Sequence, residues 1–175
     1  MIKLTTPFSA ETVEELQAGD QVFLSGIIYT GRDAAHKRLC ELLDAGKELP
    51  IELKDQVIYF VGPSPAKPGE PIGSAGPTSS YRMDAYSPQI IAQTGLRGMI
   101  GKGGRGDEVI KSMNEYGCVY FAATGGAAAL ISKSIISCEL VCYEDLQSEA
   151  IYRLEVKDFP LIVAIDSHKN DLYKK

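Results

Sequence analysis

Three apolar runs close the chain, Ile135–Tyr143, Ile151–Val156 and Leu161–Ile165, with too little sequence between them for helical crossovers. Parallel neighbours need a connection of about a dozen residues or more, so these last strands must pair antiparallel. Upstream the pattern differs. Val22–Ile28, Val57–Val61, Gly98–Ile100 and Cys118–Ala122 read as short strands. Helical spacing covers Ala10–Gln17, Asp33–Ala45, Arg82–Gln93 and Asp107–Tyr116, with a small-residue helix beginning at Ala127. Ser9 is placed to cap the first helix, Gly19, Gly46 and Gly117 to end helices, and Pro88 to interrupt the third of the four. Alternation followed by bare strands predicts one α/β domain with a mixed sheet over residues 1–175, at about one domain per 150 residues.

Composition narrows the function classes. Hydrophobic residues make up 45% and charged residues 23%, which is globular composition. The net charge of −5 argues against a general nucleic-acid role through a basic surface. No apolar run is long enough to span a membrane, and Met1–Pro7 has no signal-peptide core, so a cytoplasmic setting is expected. Cys40, Cys118, Cys138 and Cys142 form no C-x-x-C pair and read as small buried hydrophobes. On a regular strand Cys138 and Cys142 would share a face. A metal or iron–sulfur cluster held by this chain alone is therefore not expected.

Chemistry concentrates at strand-to-helix junctions. About 20 residues from Gly62 to Tyr81 are too rich in Pro and Gly for regular structure, and loops of that length are usually functional or disordered. The loop ends in Gly76-Pro77-Thr78-Ser79-Ser80-Tyr81-Arg82-Met83-Asp84, where hydroxyls and an arginine meet a helix start. Thr30-Gly31-Arg32-Asp33 places another arginine at a junction, and Asp33 can cap that helix and pair with Lys37. Gly101-Lys102-Gly103-Gly104-Arg105-Gly106 matches G-x-G-x-x-G, with Lys102 and Arg105 adding positive charge at a helix N-terminus. No acidic residue follows between Cys118 and Ser137 to hold a ribose, which counts against a dinucleotide site. His36 reads as structural and His168 as a surface residue; no nucleophile–base pair is evident. The junctions together predict a pocket for a small anion with more than one negative group, the remainder of the site coming from another chain.

These motifs resemble the β subunit, or equivalent C-terminal domain, of the Fe–S-dependent class I fumarase and L(+)-tartrate dehydratase family. The resemblance rests on Gly31–His36, Gly76–Ser79 with Arg82–Asp84, Gly101–Gly104, Gly125-Gly126-Ala127-Ala128 and Asp158-Phe159-Pro160. It implies a swivelling β/β/α domain. It also implies an α subunit, in a hetero-oligomer with two of each chain, whose three cysteines hold a [4Fe–4S] cluster with one iron open to substrate. Arg32, Thr78, Ser79, Arg82 and Lys102 then occupy substrate-site positions, with Thr78 and Lys102 as catalytic candidates. Thr78 would serve in proton transfer, and the cations would hold carboxylates and stabilise aci-carboxylate charge. Ser79 stands where the family usually has a second threonine, and Tyr81 where it has a small residue. The implied reaction is reversible hydration of fumarate to L-malate, the open iron acting as Lewis acid on the hydroxyl. L(+)-tartrate dehydration is the alternative. A non-catalytic anion- or nucleotide-binding module and a purely structural subunit stay open at this point.

Overall fold

Along Val57-Ile58-Tyr59-Phe60-Val61 every side chain is buried, yet alternate residues enter two different cores. Val57, Tyr59 and Val61 join one cluster, Ile58 and Phe60 the other. A period-two strand does this only where both faces of its sheet are covered. The computed structural model describes residues 1–73, 75–123 and 128–174. Its strands are β1 (Ile2–Thr5), β2 (Gln21–Thr30), β3 (Val57–Tyr59), β4 (Gly98–Gly101), β5 (Val119–Ala123), β6 (Ile135–Cys142) and β7 (Ile151–Ile165). Its α-helices are α1 (Ala10–Glu15), α2 (Asp33–Asp44), α3 (Ser87–Thr94), α4 (Asp107–Tyr116) and α5 (Ala128–Ser134).

The sheet order is β1-β2-β3-β4-β5-β7-β6, with β1 through β5 paired parallel and every β7 pairing antiparallel. β2 also pairs with β7, which closes β2, β3, β4, β5 and β7 into a barrel-like ring. Val22, Leu24, Ile28, Phe121, Leu154, Phe159 and Val163 pack with Tyr59 in the first cluster, so this is the ring's filling. The second cluster joins the opposite face to Leu39 of α2, Ile90 and Ile91 of α3, and Val109 and Met113 of α4. The mixed α/β expectation holds, with a sheet that turns back on itself.

Several local readings change. The two runs expected at Ile151–Val156 and Leu161–Ile165 are one strand, β7. Near Asp158, at φ 50°, its register against β2 shifts, and the Asp158 N–H donates to Ser25 Oγ at 3.0 Å. The bulge lets one strand serve both ends of the ring. Pro88 does not interrupt a helix. Arg82–Gln93 divides into a 3-10 helix, Ser80–Met83, and α3, where Pro88 sits in the first turn and its missing N–H costs nothing. Cys138 and Cys142 do not share a face: Cys138 packs on the first cluster and Cys142 on the second. A register shift between Leu140 and Cys142 reverses the alternation. Strand β1 and a 3-10 segment at Glu144–Glu149 had no distinct sequence signal. Gly125, Gly126 and Ala127 lie outside the described residues.

Candidate functional site

Parallel pairing brings the C-terminal ends of β2, β3 and β4 side by side, and the chemistry-bearing junctions follow from those ends. The Gly31 N–H donates to the Tyr59 carbonyl at 3.0 Å, tying the exit of β2 to β3. Arg32 then occupies the N-cap position of α2. Its side chain lies across Gly62, where an added Cβ would stand 3.1 Å from Arg32 Cδ. The Thr78 N–H donates to the Phe60 carbonyl at 2.7 Å, returning the end of the long loop to β3. Ser79 forms a parallel bridge with Lys102, and the Ser80 N–H donates to the Lys102 carbonyl at 2.9 Å. Tertiary pairing therefore places Thr78, Ser79 and Lys102 on adjoining backbone.

Asp33 joins the two arginines. Its Oδ2 accepts from Arg82 Nε at 3.0 Å, and Oδ1 lies 3.7 Å from Arg32 Nη2. It pairs with these rather than with Lys37, and its side chain caps nothing at the α2 N-terminus. Arg32 Nε and Asp33 Oδ1 are buried without hydrogen-bond partners among the described residues. The Arg82 side chain is 46% exposed, Lys102 is exposed, and Thr78 and Ser79 are half-buried. Two arginines thus face one carboxylate on an open shelf, with exposed Lys102 on the backbone adjoining Ser79. Cavities of about 450 and 500 Å³ lie elsewhere, beside Pro63–Ala66 and Cys138, and around Leu43–Leu53. The shelf is an accessible surface rather than part of either cavity.

Arg105 is not on that surface. Its side chain is fully buried, with Nε 2.8 Å from Asp84 Oδ1 and Nη2 2.7 Å from Ser87 Oγ. The guanidinium carbon lies 5.2 Å from the Phe60 ring centroid and 5.1 Å from that of Tyr120. The expected anion site at the start of α4 is altered for the same reason. Asp84 Oδ2 already accepts from the Gly106 N–H at 2.9 Å, and Asp107 and Glu108 occupy the first turn. Carboxylates of the protein itself use the favourable N-terminal potential. Of the two cations in the Gly-rich turn, Lys102 faces outward. Of the supporting residues, Asp84 lay in the Arg82–Asp84 motif without an assigned role, and Ser87 and Tyr120 were not singled out by sequence reasoning. A tyrosine inside the apolar run Cys118–Ala122 was the available signal, since a buried hydroxyl needs a partner.

His36 is buried, with Nδ1 2.8 Å from the Arg32 carbonyl and its ring edge-on to Phe60 at 5.3 Å. Desolvation lowers its pKa to about 4, so it is neutral near pH 7 and holds the first turn of α2. His168 is exposed. Burial pushes the thiols of Cys118 and Cys40 up to about 12 and about 11, and those of Cys138 and Cys142 upward as well. Among the described residues no group of three His, Cys, Asp or Glu is placed to hold a metal ion. Iron–sulfur clusters need clustered thiolates, so these scattered, protonated thiols do not fit one. No helix among the described residues is long and apolar enough to cross a membrane.

The Fumarase C-terminus family model matches residues 1–175. The chain belongs to this family. It is 41% identical over 168 residues to a Methanocaldococcus jannaschii protein assigned as an L(+)-tartrate dehydratase subunit beta, covering 93% of this chain and 86% of that one. It is 42% identical over 153 residues to the anaerobic class I fumarate hydratase of Escherichia coli K12, covering 87% of this chain and 28% of that enzyme. It is 35% identical to mitochondrial fumarate hydratase 1 of Leishmania major, over all of this chain and 32% of that protein. The chain thus spans most of a separate subunit but about a third or less of the single-chain fumarate hydratases. Family membership agrees with the resemblance drawn from the junction motifs.

Proposed function

We propose that this chain is the β subunit of an Fe–S-dependent hydro-lyase that adds water reversibly across fumarate to give L-malate. The observation that carries the reading is that Arg32 and Arg82 meet on Asp33 while backbone pairing sets Thr78 and Ser79 beside Lys102, all at the ends of β2, β3 and β4. A planar dicarboxylate matches two guanidinium forks and an ammonium, each a charge-assisted donor. Arg32 and Arg82 hold carboxylates, and Lys102 stabilises the negative charge that builds on the carboxylate beside the departing C–H proton. Ser79 donates to a carboxylate oxygen. Thr78 stands for proton transfer beside that carbon, with assistance from an acid or base of the partner chain. The [4Fe–4S] cluster belongs on a partner α subunit in this reading, because the thiols of this chain do not suit it. An assembly of two copies of each subunit in the cytoplasm completes the proposal.

L(+)-tartrate dehydration is the second reading, favoured by the relative named as a tartrate dehydratase subunit, 86% of which this chain covers. Both reactions use a dicarboxylate, and the shelf suits either. The decisive assay combines this chain with its iron–sulfur partner under anaerobic conditions and measures turnover of fumarate, L-malate and L(+)-tartrate. Activity is expected only in the assembled pair. Full dehydratase activity of the isolated chain without iron would refute the subunit reading, and tight nucleotide binding lost in Lys102→Ala would favour a binding module.

A further inference from the structure

Beside Arg32 at the start of α2, two further segments carry the shelf, and neither is a regular α-helix or strand where it matters. Thr78–Arg82 runs from irregular loop into a short 3-10 helix, and Lys102 stands on the turn between β4 and α4. Directly behind them lies a fully buried cation that the substrate cannot touch. Arg105 reaches from the second segment to the first, contacting Asp84 through Nε and Ser87 through Nη2. Asp84 answers with its other oxygen, accepting from the Gly106 N–H. The Tyr120 hydroxyl adds a second tie, 2.7 Å from both Ser80 Oγ and the Gly103 carbonyl oxygen. Phe60 and Tyr120 flank the guanidinium. Such a group is costly to bury and is held only by this full set of partners.

We propose that Arg105 is a positioning residue for the substrate shelf: clamped by Asp84 and Ser87 between two rings, it sets the placement of Arg82 relative to Lys102. This rests on the shelf being the dicarboxylate site. Lysine cannot reproduce the clamp, because one ammonium lacks the planar fork that meets Asp84 through Nε and Ser87 through Nη2. Tyr120→Phe keeps the ring and removes only the hydroxyl tie.

The test uses the complete chain assembled with its iron–sulfur partner, assayed on fumarate and L(+)-tartrate, with hydrogen exchange and thermal melting of each variant. Arg105→Lys is expected to raise KM roughly tenfold while kcat changes little, as loss of one charge-assisted hydrogen bond would do to carboxylate grip. Exchange should quicken at 79–86 and 102–106 and stay unchanged in β2 and β7. Tyr120→Phe should give a smaller KM rise of about threefold, and it decides the matter if Arg105→Lys does not fold. A purely structural role predicts the opposite split: lower melting temperature and fewer active sites, with KM unchanged. That result in a folded variant overturns the proposal. Arg82→Ala and Lys102→Ala in parallel separate the two claims. If they lower kcat/KM while Arg105→Lys and Tyr120→Phe leave KM unchanged, only positioning fails; if all four leave kcat/KM unaltered, the shelf is not the substrate site and both readings fall.

Discussion

Gly101 closes β4 with no side chain because Ser80 occupies the space where one would go. An added Cβ would overlap Ser80 Oγ and come 2.9 Å from the Phe60 ring. Ser80 is itself buried and tied to Tyr120, so it cannot move aside cheaply. Gly101→Ala is therefore expected to cost about 1–3 kcal/mol by overpacking, read as a lower midpoint in urea unfolding. Lys102, one residue on, predicts a contrasting result. It is exposed, and Lys102→Ala should leave the unfolding midpoint in place while lowering kcat/KM of the assembled enzyme about 10- to 100-fold, the worth of one hydrogen bond to a charged group. Unchanged kcat/KM would remove Lys102 from the site. Candidate cations were legible from sequence as residues near glycines and hydroxyls. That Arg105 belongs to the interior was not legible, because its partners Asp84 and Ser87 are about 20 residues away and meet it only after the sheet forms.

At the scale of the element, α2 shows how a helix end sets a functional side chain. Arg32 is its N-cap residue, and buried His36 one turn later donates from Nδ1 to the Arg32 carbonyl, fixing where the arginine starts. Burial holds the His36 pKa near about 4, below its ordinary 6.5. Unfolding at pH 5 thus takes up a proton that the native state does not bind, so stability rises with pH through this window. The contribution is present above about pH 6.5 and lost as the pH falls toward 4, a change of roughly 3 kcal/mol. Urea midpoints measured from pH 7 to pH 4 should fall for the natural chain and fall less for His36→Gln. Equal slopes would mean that His36 is not the group that charges. The helices α2 and α4 were readable from spacing, capping and terminal glycines. The division ahead of Ser87, with Pro88 inside the first turn of α3, and the face reversal at Cys142 were not, since a first-turn proline and a bulge both depend on what pairs alongside.

In the whole molecule, β7 is the closing seam. Its fifteen residues meet β6 and β5 in succession along one edge and β2 along the other. Phe159 lies in the interior near the bulge, edge-on to Tyr59 at 5.4 Å. Phe159→Ala should open a cavity there and cost about 3–5 kcal/mol, lowering the denaturant midpoint well beyond any surface change. A loss under about 1 kcal/mol would show that the ring collapses around the gap rather than depending on that side chain. The shelf depends on this closure, because it sits on the ends of strands whose spacing the ring sets. From sequence alone the chain was a mixed α/β protein with cations and hydroxyls at three junctions, for these follow from period, glycine placement and connection length. Only the tertiary structure decided that the junctions share one shelf, that the sheet closes, and that one arginine faces inward. Those outcomes depend on pairings between residues far apart in the chain, where burial and hydrogen-bond satisfaction are settled and local pattern carries no information.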